Sequence, residues 1–181
     1  MKKKIAISLS LIFLVASIAL FFKLKNGVSI RISEAEIQSI VYPKFPIDKT
    51  HFLVLKIEYK DPLVELINNT EQVRMGITLS PYLEIKGKRY SGTAIVNGRF
   101  RYEPVTGKIF LTGFSVESLQ LDDIFSIKLD KLSMSISEML EDVYSQYPIY
   151  TLKDDIKQGS AKMLIQKVNI KDKIVTIHLG F

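Results

Sequence analysis

Apolar side chains recur along this chain with different periods, and each change of period marks an element. Ile5 to Phe22 is an uncharged apolar run of 18 residues. As a helix it is about 27 Å long, close to the thickness of a hydrocarbon core. In lipid its backbone is satisfied only as a helix. A cleaved signal segment and a retained anchor both fit. Ser17-Ile18-Ala19 resembles a cleavage site, but Leu20-Phe21-Phe22 carries the apolar run beyond it, which favours the anchor.

Beyond Asn26-Gly27, a natural joint, the body opens on Ser33-x-x-Glu36, a capping box. Ile37, Ile40 and Val41 fall on one helical face, and Pro43 and Pro46 end the helix. A β series follows. Leu53, Leu55, Ile57 and Tyr59 alternate with polar residues, and Asp61-Pro62 reads as a turn. Val73, Met75, Ile77 and Leu79 repeat the alternation, and Pro81 suggests a bulge or an edge. Lys86-Gly87-Lys88 reads as a hairpin turn before a long strand, Tyr90 to Tyr102, with Val96 and Phe100 on its apolar face. Lys108 to Leu121 is a further strand, kinked at Gly113. The period then becomes helical: Leu129, Leu132, Ile136, Met139, Leu140, Val143 and Tyr147 share one face, and Pro148 stops the helix. Asp154 or Asp155 caps a brief helix, and a hairpin over Lys171-Asp172-Lys173 closes the chain.

This order predicts an α+β domain over residues 27–181, preceded by an anchor or signal segment over residues 1–26. The expected body is a highly curved antiparallel sheet wrapped round one long amphipathic helix, because glycine kinks let a sheet curl.

Charge changes this picture only at the amino end. The net charge is +6, but Lys2, Lys3, Lys4, Lys23 and Lys25 supply all but one of it. The body is nearly neutral and carries no electrostatic footprint for nucleic acid. The lysines before the apolar run favour a cytoplasmic amino terminus. The expectation is a single-pass inner-membrane protein whose body faces the periplasm, with residues 5–22 as its membrane contact. Absence of Cys excludes a disulfide framework, a thiolate metal site and a lipid-bearing cysteine.

The chemistry expected of an enzyme is missing from the pattern. His51 and His178 are the two histidines, and neither stands beside a nucleophile signal. They read as surface or sheet side chains. Asp122-Asp123, Glu141-Asp142 and Asp154-Asp155 are adjacent pairs that share no helical face, and they read as caps or solvated faces. Asn68-Asn69-Thr70 matches a glycosylation acceptor, a pattern common by chance. Lys86, Lys88 and Arg89 read as a solvated hairpin tip, or as a contact for anionic headgroups or a partner. No catalytic residue, metal site or cofactor is implied. The apolar strand and helix faces either meet in a closed core or leave a groove wide enough for an acyl chain.

Several stretches carry a resemblance: Ile32-Ser33-Glu34-Ala35-Glu36-Ile37, Lys44-Phe45-Pro46, the Arg101 to Leu111 pair of strands, and Pro148 to Leu152 followed by Ala161. In order and spacing the chain resembles the YceB-like bacterial envelope lipoproteins over residues 30–181, without their lipidation cysteine. The resemblance implies a tubular lipid-binding (TULIP-like) fold with an apolar interior and a lipid or fatty acyl ligand. The implied lining is Leu53, Leu55, Ile57, Val73, Met75, Ile77, Val96, Phe100 and Phe110 from strands, and Leu132, Ile136, Met139, Leu140 and Val143 from the helix. The rival expectation is an envelope structural or interaction protein with a filled core and no ligand.

Overall fold

The computed structural model describes residues 27–51, 53, 55–122, 129–153 and 163–181. The apolar run at 5–22 and the brief helix expected after Asp154 lie outside them. No helix among the described residues is long and apolar enough to cross a membrane.

Among the described residues ten strands and two α-helices follow in order: β1 (Val28–Ser33), α1 (Glu34–Val41), β2 (Ile47–His51), β3 (Leu55–Leu66), β4 (Gln72–Leu83), β5 (Lys88–Arg89), β6 (Gly92–Glu103), β7 (Lys108–Leu121), α2 (Leu129–Tyr144), β8 (Tyr150–Thr151), β9 (Leu164–Lys171) and β10 (Ile174–Gly180). The strands form two antiparallel sheets. The larger has the order β2-β3-β4-β6-β7-β8, with β5 paired to β4, and the smaller is β1-β10-β9.

Ser33 caps α1 as its sequence signature requires. Its hydroxyl accepts from the Glu36 amide at 3.2 Å, and the Glu36 carboxylate accepts from the Ser33 amide at 2.7 Å. The same carboxylate also accepts from the Ser33 hydroxyl at 2.7 Å, and the bonds from the Ser33 amide and hydroxyl hold the Glu36 carboxyl below its ordinary pKa. The residues between Gly27 and the cap, to which the sequence pattern assigns no element, form β1. Ile30 and Ile32 are buried, and the strand pairs with β10.

Asp61-Pro62 is not a turn. β3 runs through it by a bulge, with Asp61 at φ 51° and the β4 register shifting between Lys60 and Leu63. The extra residue moves the inward set from Leu55, Ile57 and Tyr59 to Val64 and Leu66. Gly113, at φ 62°, makes a second bulge in β7, where the register against β6 shifts between Asn97 and Arg99. Phe114 then turns inward. A Cβ on Gly98 would stand 2.9 Å from its ring, so glycine there makes room for it.

α2 ends at Tyr144, one turn short of the expected Tyr147, and its 16 residues make it shorter than the long helix expected. It packs on β7. The Glu141 carboxylate accepts from the Thr112 hydroxyl and from the Gly113 amide, so the helix is pinned at the bulge. The Tyr144 hydroxyl donates to the Val41 carbonyl at the end of α1, 3.2 Å away. Ile136, Met139, Leu140 and Tyr144 join the inward strand residues and the Ile170, Val175 and Ile177 cluster in one contiguous core.

Candidate functional site

Leu55, Ile57, Val73, Met75, Ile77, Val96, Phe100, Leu132, Ile136, Met139 and Leu140 all lie buried within that core, and Val143 packs half-buried against it. Two residues expected beside them are elsewhere. Leu53 is 90% exposed at φ 66°, in the β2–β3 connection, because inward alternation begins only at Leu55. Phe110 is buried on the opposite face of β7 from Ile109 and Leu111. It pairs with Arg101, whose guanidinium lies 4.6 Å from its ring centroid. Three consecutive apolar residues, Ile109 to Leu111, leave the facing of this strand undetermined by pattern alone.

A cleft of about 430 Å³ opens where the two sheets meet, lined by Glu71, Gln72, Arg99, Phe100, Ile165 and Val168. Gln72 begins β4 opposite Arg99 of β6. β9 faces them because the β9–β10 hairpin is tied to the β3–β4 turn: the Asn69 amide donates to the Ile170 carbonyl at 3.1 Å, and the Asp172 amide to the Asn68 side-chain oxygen at 2.9 Å. Asp172 and Lys173 both have positive φ, which gives this hairpin its two-residue turn. Phe100, Ile165 and Val168 supply an apolar wall, and Glu71, Gln72 and Arg99 a polar one. The volume falls within the roughly 300–1,000 Å³ of small-molecule sites, and a wall of mixed character suits an amphipathic guest. Of the expected lining residues, Phe100 alone borders this cleft.

A second polar cluster lies at the other end of the larger sheet. His51 is buried, and its ring nitrogens meet the Ser135 hydroxyl at 2.8 Å and the Tyr59 hydroxyl at 2.6 Å. Burial, reinforced by the charge of Lys49, lowers the His51 pKa, so the neutral ring predominates. Burial also raises the Tyr59 pKa. A neutral ring donates from one nitrogen and accepts at the other, and either hydroxyl can complement it. The third member is a phenol where a hydrolytic triad has a carboxylate. The cluster ties α2 to β2 and β3. Its sequence signal was the phase of His51, which matches Leu55, Ile57 and Tyr59.

Among the described residues no group of three His, Asp or Glu is placed to hold a metal ion. The family described as "Protein of unknown function (DUF1439)" matches residues 32–173, and the chain belongs to it. No curated protein matches the chain. A solved structure, "Crystal structure of lipopolysaccharide binding protein", is similar at a TM-score of 0.33 and 9% identity. That similarity covers 84% of this chain, which spans 40% of the other's length.

Proposed function

We propose that this member of the family of unknown function is a membrane-tethered, periplasm-facing domain that binds a lipid or another amphipathic molecule and performs no reaction on it. The observation that carries the reading is the cleft between the sheets, with Phe100, Ile165 and Val168 on one side and Glu71, Gln72 and Arg99 on the other. An acyl chain against the apolar wall gains about 0.8 kcal/mol per buried methylene. An acidic headgroup can pair with Arg99. The apolar run at 5–22 supplies the tether and holds the cleft close to a lipid source, which raises the effective ligand concentration. The YceB-like resemblance supports the same placement.

Titration of the full chain with a fluorescent fatty acid tests this. Uptake saturates at one site, Val168→Trp abolishes it by filling the cleft, and Arg99→Ala weakens it. Uptake unchanged in Val168→Trp contradicts the reading. The packed interface of α2 with the sheet favours a second reading, an envelope interaction protein without a ligand. Complete absence of uptake by the unaltered chain supports that one.

A further inference from the structure

The end of the larger sheet away from the cleft carries a surface that the cleft does not explain. Leu55 pairs with Leu83, and Leu83 with Lys88, so the β2–β3 and β4–β5 connections lie side by side. Each presents a bare apolar side chain: Leu53 is 90% exposed and Ile85 is 77% exposed. Soluble surfaces carry single exposed apolar residues without consequence, but these two are set among cations. Lys56, Lys86, Lys88 and Arg89 are exposed there. Among the described residues the Glu84 carboxylate stands with them, 2.6 Å from the Lys56 ammonium. The acid of Asp122 lies farther along the same edge, where its amide bonds the Ser91 carbonyl. Two tyrosines underlie the cations, with Arg89 5.5 Å from the Tyr82 ring centroid and Lys88 5.2 Å from that of Tyr90. Gly87, at φ 59°, lets the β4–β5 connection turn tightly enough to project Ile85.

Protruding apolar side chains ringed by cations and backed by tyrosines match the water-to-lipid boundary of an anionic bilayer. We propose that this tip docks on a membrane surface bearing anionic headgroups, with Ile85 and Leu53 entering the acyl boundary and Lys88 and Arg89 meeting the phosphates. The contact is separate from the apolar run at 5–22 and does not rest on the cleft. A domain held at both places would have a fixed orientation on its membrane.

The cysteine-free sequence makes the test direct. The full chain bearing Ile85→Cys is labelled with a fluorophore and reconstituted in phosphatidylcholine vesicles, with or without phosphatidylglycerol. Lipids with a nitroxide on the acyl chain serve as quencher. Val105→Cys is the control, since Val105 is 84% exposed in the β6–β7 turn at the opposite end of β6. Leu53→Cys is a second reporter on the neighbouring connection. The expected result is quenching at Ile85 and Leu53 well above that at Val105, only with phosphatidylglycerol, and reversed by salt. Lys88→Gln and Arg89→Gln each lower the docked-to-undocked ratio about fivefold. Quenching at Ile85 no greater than at Val105, or indifferent to phosphatidylglycerol, overturns the proposal. So does a tip that stays unquenched on anionic vesicles while capturing a protein.

Discussion

His51 is tolerated inside the molecule because its ring meets Ser135 and Tyr59, and its burial, with the nearby charge of Lys49, makes it sensitive to acid. Its pKa is lowered in the folded chain, so the unfolded chain binds the proton more readily. Its contribution is therefore complete above the unfolded value of about 6.5 and is lost as the pH falls from there towards the folded value. The urea midpoint of the full chain in detergent is expected to be flat above that pH and to drop below it. In His51→Phe this part of the drop disappears; an unchanged pH profile in that variant contradicts the assignment. The phase of His51, shared with Leu55, Ile57 and Tyr59, was legible in sequence, but its reading as a surface or sheet side chain is corrected by its burial. Its partner Ser135 was not legible, because it comes from α2, far along the chain.

Bulges decide which face each strand buries. At Gly113 the left-handed conformation and the Glu141 contact coincide, so Gly113→Ala is expected to cost about 1 kcal/mol or more in thermal or urea unfolding. Ser33→Ala removes the α1 cap and should cost about 1 kcal/mol by the same measurement. Equal stability of either variant contradicts the role given to that residue. The cap, the alternation of β4 and β6, and the β9–β10 turn were legible because each is encoded within a few neighbouring residues. The Asp61 bulge was not, since Asp-Pro also suits a turn. β1 escaped notice because Ile30 and Ile32 alone mark its buried face. Phe110 sits in an apolar run where alternation gives no facing.

The whole molecule combines a packed core, a cleft at the seam of two sheets and a cationic tip at the far end. A mostly antiparallel α+β order was legible from the order of periods, but the single sheet expected to wrap one long helix is two sheets and a 16-residue helix. The cleft was not legible, because it joins residues 71–72, 99–100 and 165–168, which meet only when β9 is tied across β4 and β6. The core and the cleft should respond differently to added bulk. Ile136→Trp overpacks a residue with no exposed surface and should cost about 1–3 kcal/mol while leaving fatty acid uptake per folded molecule intact. Uptake lost in Ile136→Trp at unchanged stability would place the ligand beside α2 instead.

The central claim, that an amphipathic guest lies between the sheets, is tested most directly by photo-crosslinking the full chain with a diazirine-bearing fatty acid and mapping the adducts by mass spectrometry. The account predicts adducts on β6 at Phe100 and on β9 at Ile165 or Val168, competed away by unlabelled fatty acid. Adducts on the buried face of α2 from Leu132 to Leu140, or none that competition removes, would contradict it.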